Sequence, residues 1–305
     1  MLQLLLGGSG SGKTTLLYQR IRARAEKGEK SILLVPEQFT SSTEGRIYRE
    51  LGDALSGMVE SFSFTSLAEK ILSTEGGAAV QTLSDAGRAV LVRRALEELQ
   101  DNVHYYHRHR RSAAFCQMAA QTIDELKSAG LSGQQLAQLA GACGAESGKL
   151  SELALIFQGY ETLLARSGMD PSDRLELAGA RLEEALARHS LPEFLRDRAV
   201  FIDEFDTFNA PKKRLLGAML AALPSVTVAL CDDGAPLLPG DLSLFSGAKQ
   251  VAAQLRQLAR KNGAEVAVPQ LLRKDLRHRN APGLAAVAEL LETRRRPPAG
   301  PRRGG

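Results

Sequence analysis

The sequence predicts an α/β protein: a parallel sheet that opens on a phosphate-binding loop and is interrupted by a large all-helical insertion. Three observations predict it. The apolar run LQLLL at 2–6 enters a glycine-rich loop and then a helical pattern. Further buried-strand runs, SILLV at 31–35, RAVFI at 198–202 and SVTVAL at 225–230, alternate with helical patterns, the order of a parallel sheet with crossovers. Between 83 and 190 the periodicity is helical, with almost no strand signal.

Taken in order, the helix after the first strand covers 13–27, with Leu16, Leu17 and Ile21 on one side and Gly28 as its stop. Pro36 closes the second strand, MVESF at 58–62 is a candidate third strand, and a helix follows over Ser66 to Leu72, with Thr65 as its candidate cap. The insertion holds candidate helices at 84–100, 112–129, 133–141, 149–166 and 172–188, punctuated by Gly130, Gly141, Gly144, Gly168 and Pro171. The sheet resumes at 198–202 and 225–230 around a helix at 210–222. A helix at 247–262, a last strand at 264–268 (AEVAV) and a short helix at 283–292 complete the pattern. The expected organisation is 1–82 and 191–292 as two halves of one α/β domain, 83–190 as the helical insertion, and 293–305 as a disordered basic tail. That tail, ETRRRPPAGPRRGG with Glu292 at its head, is either a nonspecific polyanion contact or the mark of a truncated or frame-shifted reading frame. The abrupt end of the apolar pattern favours the second. There is no internal repeat.

At 305 residues the chain is long enough for a substantial core. No apolar run approaches the roughly 20 residues needed to span a bilayer, and Met1 to Leu6 lacks the basic start of a signal peptide. A cytoplasmic protein without membrane contact is expected. A net charge of +4 is weak support for a polyanionic partner. Cys116, Cys143 and Cys231 are far apart and form no CxxC pair, which argues against a disulfide framework or a zinc or iron–sulfur site on this chain.

The chemistry concentrates at Gly7-Gly8-Ser9-Gly10-Ser11-Gly12-Lys13-Thr14, which matches G-x(4)-G-K-[ST] in full, with a strand before it and a helix after it. The context separates a true phosphate loop from a chance string and makes the fold class a P-loop NTPase. The glycines let successive backbone N–H groups turn towards phosphate oxygens, and the helix start adds partial positive charge. Lys13 reaches the β- and γ-phosphates, the Thr14 hydroxyl ligates Mg²⁺, and Thr15 completes the loop. A second acidic element is needed, and Asp203-Glu204 supplies it at the end of the strand Ala199 to Ile202. Asp203 would bind Mg²⁺ through water and Glu204 would act as general base, with Asp206 a weaker third candidate. The competing reading is an acidic loop that caps the helix near Ala210. After the second strand, Val35-Pro36-Glu37-Gln38-Phe39-Thr40 places Gln38 or Thr40 where either could meet nucleotide or nucleic acid, with a plain polar turn as the alternative. His104-Tyr105-Tyr106-His107-Arg108-His109-Arg110-Arg111 mixes cations with aromatics, as phosphate contact and base stacking require. A solvated basic loop is its competing reading, and no nearby Asp, Glu or Cys completes a metal site there.

In their order along the chain, GGSGSGKTT, LLVPEQFT, VESFSFTSLAEKIL and FIDEFDTFNAPKKRLL resemble the N-terminal part of the B subunit of the AddAB ATP-dependent helicase–nucleases. That family is similar in its first domain to UvrD-like superfamily 1 helicases. LVPEQFT is the most specific piece, since general P-loop proteins lack it. The resemblance covers roughly residues 1–290 and implies a RecA-like 1A domain with a 1B-like helical insertion, ATP and Mg²⁺ as cofactors, and single-stranded DNA contact along Ser61 to Leu72. It also implies a heterodimer with an AddA-type subunit, which supplies the main motor, in resection of double-strand breaks for homologous recombination. The family's B subunits carry in addition a nuclease domain, an iron–sulfur cluster and the surface that recognises the recombination hotspot. Those subunits are several times longer than this chain. A second RecA-like domain, a nuclease domain, a cysteine cluster, an adenine-reading glutamine motif and the glutamine usual after the strand ending at Leu230 (here Cys231-Asp232-Asp233) are not found in the sequence. The resemblance therefore implies an N-terminal portion that binds nucleotide but neither unwinds nor cuts DNA by itself. Two other functions compete: a stand-alone P-loop kinase or signalling NTPase with 83–187 as a helical lid over a small substrate, and a nonenzymatic scaffold in which nucleotide reports its state to a partner.

Overall fold

The computed structural model describes residues 1–99, 101–144 and 147–293. The arginine-rich segment 294–305, expected as a disordered tail, lies outside the described residues. The chain divides into two compact units. One comprises Met1–Phe64, Leu191–Phe208 and the chain from Gly217 onward. The other comprises Thr65–Ser190 and Asn209–Leu216.

The first unit is α/β. Its strands are β1 (Leu2–Gly7), β2 (Ser31–Leu34), β3 (Val59–Phe62), β4 (Ala199–Ile202), β5 (Ser225–Cys231) and β6 (Gln270–Leu272). They form one six-stranded sheet in the order β3-β2-β4-β5-β1-β6, and every pairing is parallel. The continuous apolar runs are explained by burial on both faces. Leu5, Leu33, Phe201 and Ala229 join Leu17, Tyr18 and Ile21 of α1 (Lys13–Ala25) in one cluster. The intervening positions Leu4, Ile32, Val200 and Val228 are fully buried as well. α11 (Ser246–Lys261) packs on β1 and β5. Register pairs Gly7 with Cys231 and Ile202 with Val228, so the ends of β1, β5 and β4 open on the same edge of the sheet.

Three local expectations need correction. The last strand is Gln270–Leu272, not 264–268. In the AEVAV stretch only Val266 bridges Leu2, and Val268 is 87% exposed, so this segment approaches the sheet before pairing with β1. A helix, α2 (Thr40–Leu51), with the short α3 (Asp53–Ser56) behind it, occupies a stretch for which no element was expected. Its start, TSSTEG, has weak helix propensity, but Thr43, Ile47 and Leu51 fall four residues apart on one face and are buried. Thr65 is not a cap, because α4 (Phe64–Glu75) begins one residue earlier.

The second unit is helical: α4 from Thr65, α5 (Asp85–Glu98), α6 (Ala113–Ser128), α7 (Gly133–Ala140), α8 (Ser147–Ser167), α9 (Pro171–Ala187) and the first turns of α10 (Ala210–Ala222). Val92, Leu96, Cys116, Ile123, Leu136, Phe157 and Tyr160 form its core. The starts of the helices are set by their caps: Ser84, Ser112 and Ser132 accept N–H bonds at the heads of α5, α6 and α7, and Asp170-Pro171 opens α9.

Candidate phosphate-binding site

The loop between β1 and α1 needs glycine at two places in particular. Gly10 and Gly12 have φ of 78° and 89°, conformations that L side chains rarely adopt. A Cβ at Gly12 would stand 2.9 Å from a methyl of Leu276. The head of α1 has no side-chain cap and no acid in its first turn, so its own helix supplies no side-chain acceptor for the terminal N–H groups. The Ser11 hydroxyl is buried and has no hydrogen-bond partner among the described residues. An orphaned buried donor beside uncapped amides is the arrangement an anion satisfies.

Lys13 folds back over this loop, its Nζ donating to the carbonyls of Gly7 and Gly8 at 2.8 Å each. That uses two of its three donors and leaves the charge over the loop's mouth. Ser9 through Thr15 then line a cavity of about 480 Å³ together with Asp203, Glu204, Asp206, Arg46 and Arg277. The predicted carboxylates and the predicted lysine thus meet in one cavity, although their strands β4 and β1 are separated in the sheet by β5.

Asp203 is 5% exposed, and its N–H donates to the carbonyl of Leu34 at 3.1 Å, which continues the sheet's pairing past β4. Glu204 turns sharply out of the strand at φ 64°. The loop behind it is held by aromatic packing: Phe205 stacks on Phe208 at 5.5 Å, and Phe64 meets Phe205 edge-on at 5.2 Å. Partial burial and the Asp203 carboxylate raise the Glu204 pKa, against the cations of Arg46 and Lys13. The acidic loop does not cap the next helix. Asn209 does so, accepting the N–H of Lys212 at 3.1 Å.

Gln38 is exposed on a 3-10 turn after β2 and does not line the cavity. Thr40 bonds the Glu37 carbonyl at 3.0 Å.

Three groups escaped the sequence reading. Arg46 of α2 stacks over the ring of Tyr18, 4.9 Å from its centroid, and burial pushes the Tyr18 phenol up to about 12, so the ring stays neutral beneath the cation. Recognising α2 would have flagged Arg46, which lies one position before the buried Ile47. The segment after β6 crosses the loop: the N–H of Leu276 donates to the carbonyl of Gly10 at 3.0 Å and the Arg277 guanidinium to Ser9 Oγ at 3.0 Å. The basic run RKDLRHR was its only signal. Asp232 is buried, donates its N–H to the carbonyl of Gly7 and lines a second cavity with Gly8, Ser9 and Ser11. Burial and neighbouring Asp233 raise its pKa, against the N–H of Gly234.

Among the described residues no group of three or more His, Cys, Asp or Glu side chains could hold a metal ion. A cation held by one hydroxyl, one water-bridged carboxylate and phosphate oxygens needs no such group. No helix of the described residues is long and apolar enough to cross a membrane.

Residues 4–288 match the family model described as ADDB, N-terminal. The chain belongs to this family. Among curated proteins it is similar to the B subunit of the ATP-dependent helicase/deoxyribonuclease of Desulforudis audaxviator, 34% identical over 93% of this chain and 25% of that protein. Proteins with the same description from Moorella thermoacetica (33%, covering 93% and 25%) and Clostridium perfringens (29%, covering 86% and 22%) are similar as well. The chain spans about a quarter of the length of these relatives. The ADDB family match covers both compact units, so the helical unit belongs to the family's N-terminal region as much as the sheet does.

Proposed function

We propose that this chain binds ATP with Mg²⁺ in the cavity over the β1–α1 loop. It acts as the nucleotide-binding N-terminal portion of a cytoplasmic helicase–nuclease B subunit in double-strand break repair and homologous recombination. Its partners are an AddA-type subunit and DNA. The sheet unit is then a RecA-like P-loop NTPase domain of the 1A kind, and the helical unit its 1B-like insertion. The observation that carries the reading is the shared cavity: an uncapped, glycine-built helix start, Lys13 and the acids that follow β4 converge on one space of triphosphate size.

In this reading Gly7 to Gly12 cradle the β- and γ-phosphates with backbone N–H groups, and the Ser11 hydroxyl finds there the acceptor it lacks. Lys13 would neutralise phosphate charge, Thr14 and Asp203 would hold Mg²⁺, and Thr15 lines the same cavity. Bound Mg²⁺ would draw charge from the β- and γ-oxygens. Glu204 orients and deprotonates water. Arg46 and Arg277 add cations to the same wall. Gln38, off the cavity wall, is left to nucleic acid.

Equilibrium binding of a fluorescent ATP analogue with Mg²⁺ tests this. Binding with very slow turnover is expected, and Lys13→Ala should lower affinity by at least about a hundredfold, roughly two charge-assisted hydrogen bonds' worth. Undiminished binding by Lys13→Ala, or robust DNA-independent turnover, would count against it. A kinase or signalling NTPase would bind ATP equally well but show no single-stranded DNA binding at low salt.

A further inference from the structure

We propose that the α5–α6 connection, with the first turns of α6 and Lys149 of α8, forms a single-stranded nucleic-acid site, stacking bases on an aromatic floor and holding phosphates at a basic rim. The proposal rests on the DNA-binding limb of the function above and gives that limb a location within the helical unit.

The connection is built, not loose. Val103 is buried, and immediately after it three consecutive backbone N–H groups, of His104, Tyr105 and Tyr106, donate to the Glu152 carboxylate at 2.8 to 3.3 Å. Glu152 is only 6% exposed. A buried carboxylate is costly unless its lone pairs are filled, and here this loop fills them. Loop and carboxylate therefore fix each other, and the aromatic side chains are presented in a set arrangement at little ordering cost on binding.

Those side chains make a floor. Phe115 stacks against both Tyr106 and His109, each pair 5.4 Å apart at 29°. Tyr105 and Met118, both 57% exposed, stand beside it, and an open cavity of about 450 Å³ lies over these rings, reaching to Lys149. Tyr106 and Phe115 pack one side against the unit's core, while Tyr105 and Met118 leave apolar surface in water. The surroundings are cationic: exposed Lys149 lines the cavity, Arg108 and Arg111 are exposed on the same connection on either side of the lining residue His109, and among the described residues no carboxylate lines the cavity. Apolar π-faces inside cations complement a strand whose bases are bare and whose phosphates run alongside. A duplex hides its base faces, and an apolar peptide would make no use of the cations.

The test uses the full chain and a short fluorescein-labelled oligothymidylate, read by anisotropy across a salt series. Tyr105→Ala should weaken binding about tenfold while Tyr105→Phe retains it, since stacking and not the hydroxyl is invoked. Arg108→Ala with Arg111→Ala should reduce the log–log salt slope by about 1.4. Both variants replace exposed side chains and should keep wild-type circular dichroism, melting and ATP binding. An iodouracil-bearing oligonucleotide should photocrosslink at Tyr105. Wild-type affinity in Tyr105→Ala with an unchanged slope in the arginine variant overturns the location and leaves the DNA limb standing. A wild-type chain that binds ATP but no oligonucleotide overturns both. Equal affinity for blunt duplex overturns the stacking. Self-association that Tyr105→Ala abolishes, without oligonucleotide binding, overturns the site in favour of a protein contact.

Discussion

Glu204 carries two consequences at the residue scale. Its φ of 64° places a side chain in the left-handed region, at a cost of about 1 kcal/mol or more. Glu204→Gly should therefore raise stability by about 1 kcal/mol over Glu204→Ala, read from denaturant midpoints, while both lose whatever turnover the carboxylate supports. Its pKa is raised by partial burial and Asp203, so the folded state holds this proton more tightly than the unfolded state does. Stability is then favoured below the ordinary carboxylate value and declines as pH rises towards the raised folded value. Glu204→Gln removes that decline, and thermal melts across this acidic window should show the variant gaining on the wild type as pH increases.

At the scale of elements, the insertion is tied internally by a buried ionic cluster. Lys127 at the end of α6 bonds Asp170 at 2.8 Å and Asp173 at 2.6 Å at the head of α9, and Tyr160 of α8 donates to Asp170 at 2.6 Å. Burial works against the Lys127 charge, but the two carboxylates outweigh it and raise its pKa. Asp170 is 1% exposed, so removing the lysine strands a charge and does not simply delete a contact. Lys127→Ala should destabilise the protein by about 3–5 kcal/mol, measured by urea denaturation. A replacement at exposed Arg94, whose i,i+4 pair with Glu98 is solvated, should change stability by less than about 0.5 kcal/mol.

For the whole molecule, a ligand that binds only the folded chain stabilises it by mass action. ATP with Mg²⁺ at a hundred times its Kd should add about 2.7 kcal/mol, an upward shift in Tm of about 5 °C. Lys13→Ala, with its affinity at least about a hundredfold weaker, should cut the shift to below about 1 °C while melting near wild type in the absence of nucleotide, because among the described residues its Nζ bonds loop carbonyls. A shift that survives Lys13→Ala would place the nucleotide elsewhere.

The strands β1, β2, β4 and β5, the helices of the insertion and the glycine-built turn before α1 were legible because each is written in local pattern: runs buried on both faces, helical stripes, and glycines where the strand enters the helix. The candidacy of Asp203 and Glu204 was legible too, since a carboxylate at the end of a parallel strand faces the edge where the loop lies. What local pattern could not carry was partnership across the sheet. The helix α2, weak in propensity, exists because Ile47 and Leu51 have a sheet to pack on, and only that packing brings Arg46 over Tyr18 and into the cavity. β6 begins at Gln270 because that is where the chain reaches Leu5, and the crossing of Leu276 and Arg277 over the loop follows from it. Backbone periodicity is a property of neighbours in sequence, whereas these contacts join separate elements, and those of β6 and Leu276 join residues more than two hundred positions apart. Only burial in the folded molecule decides them.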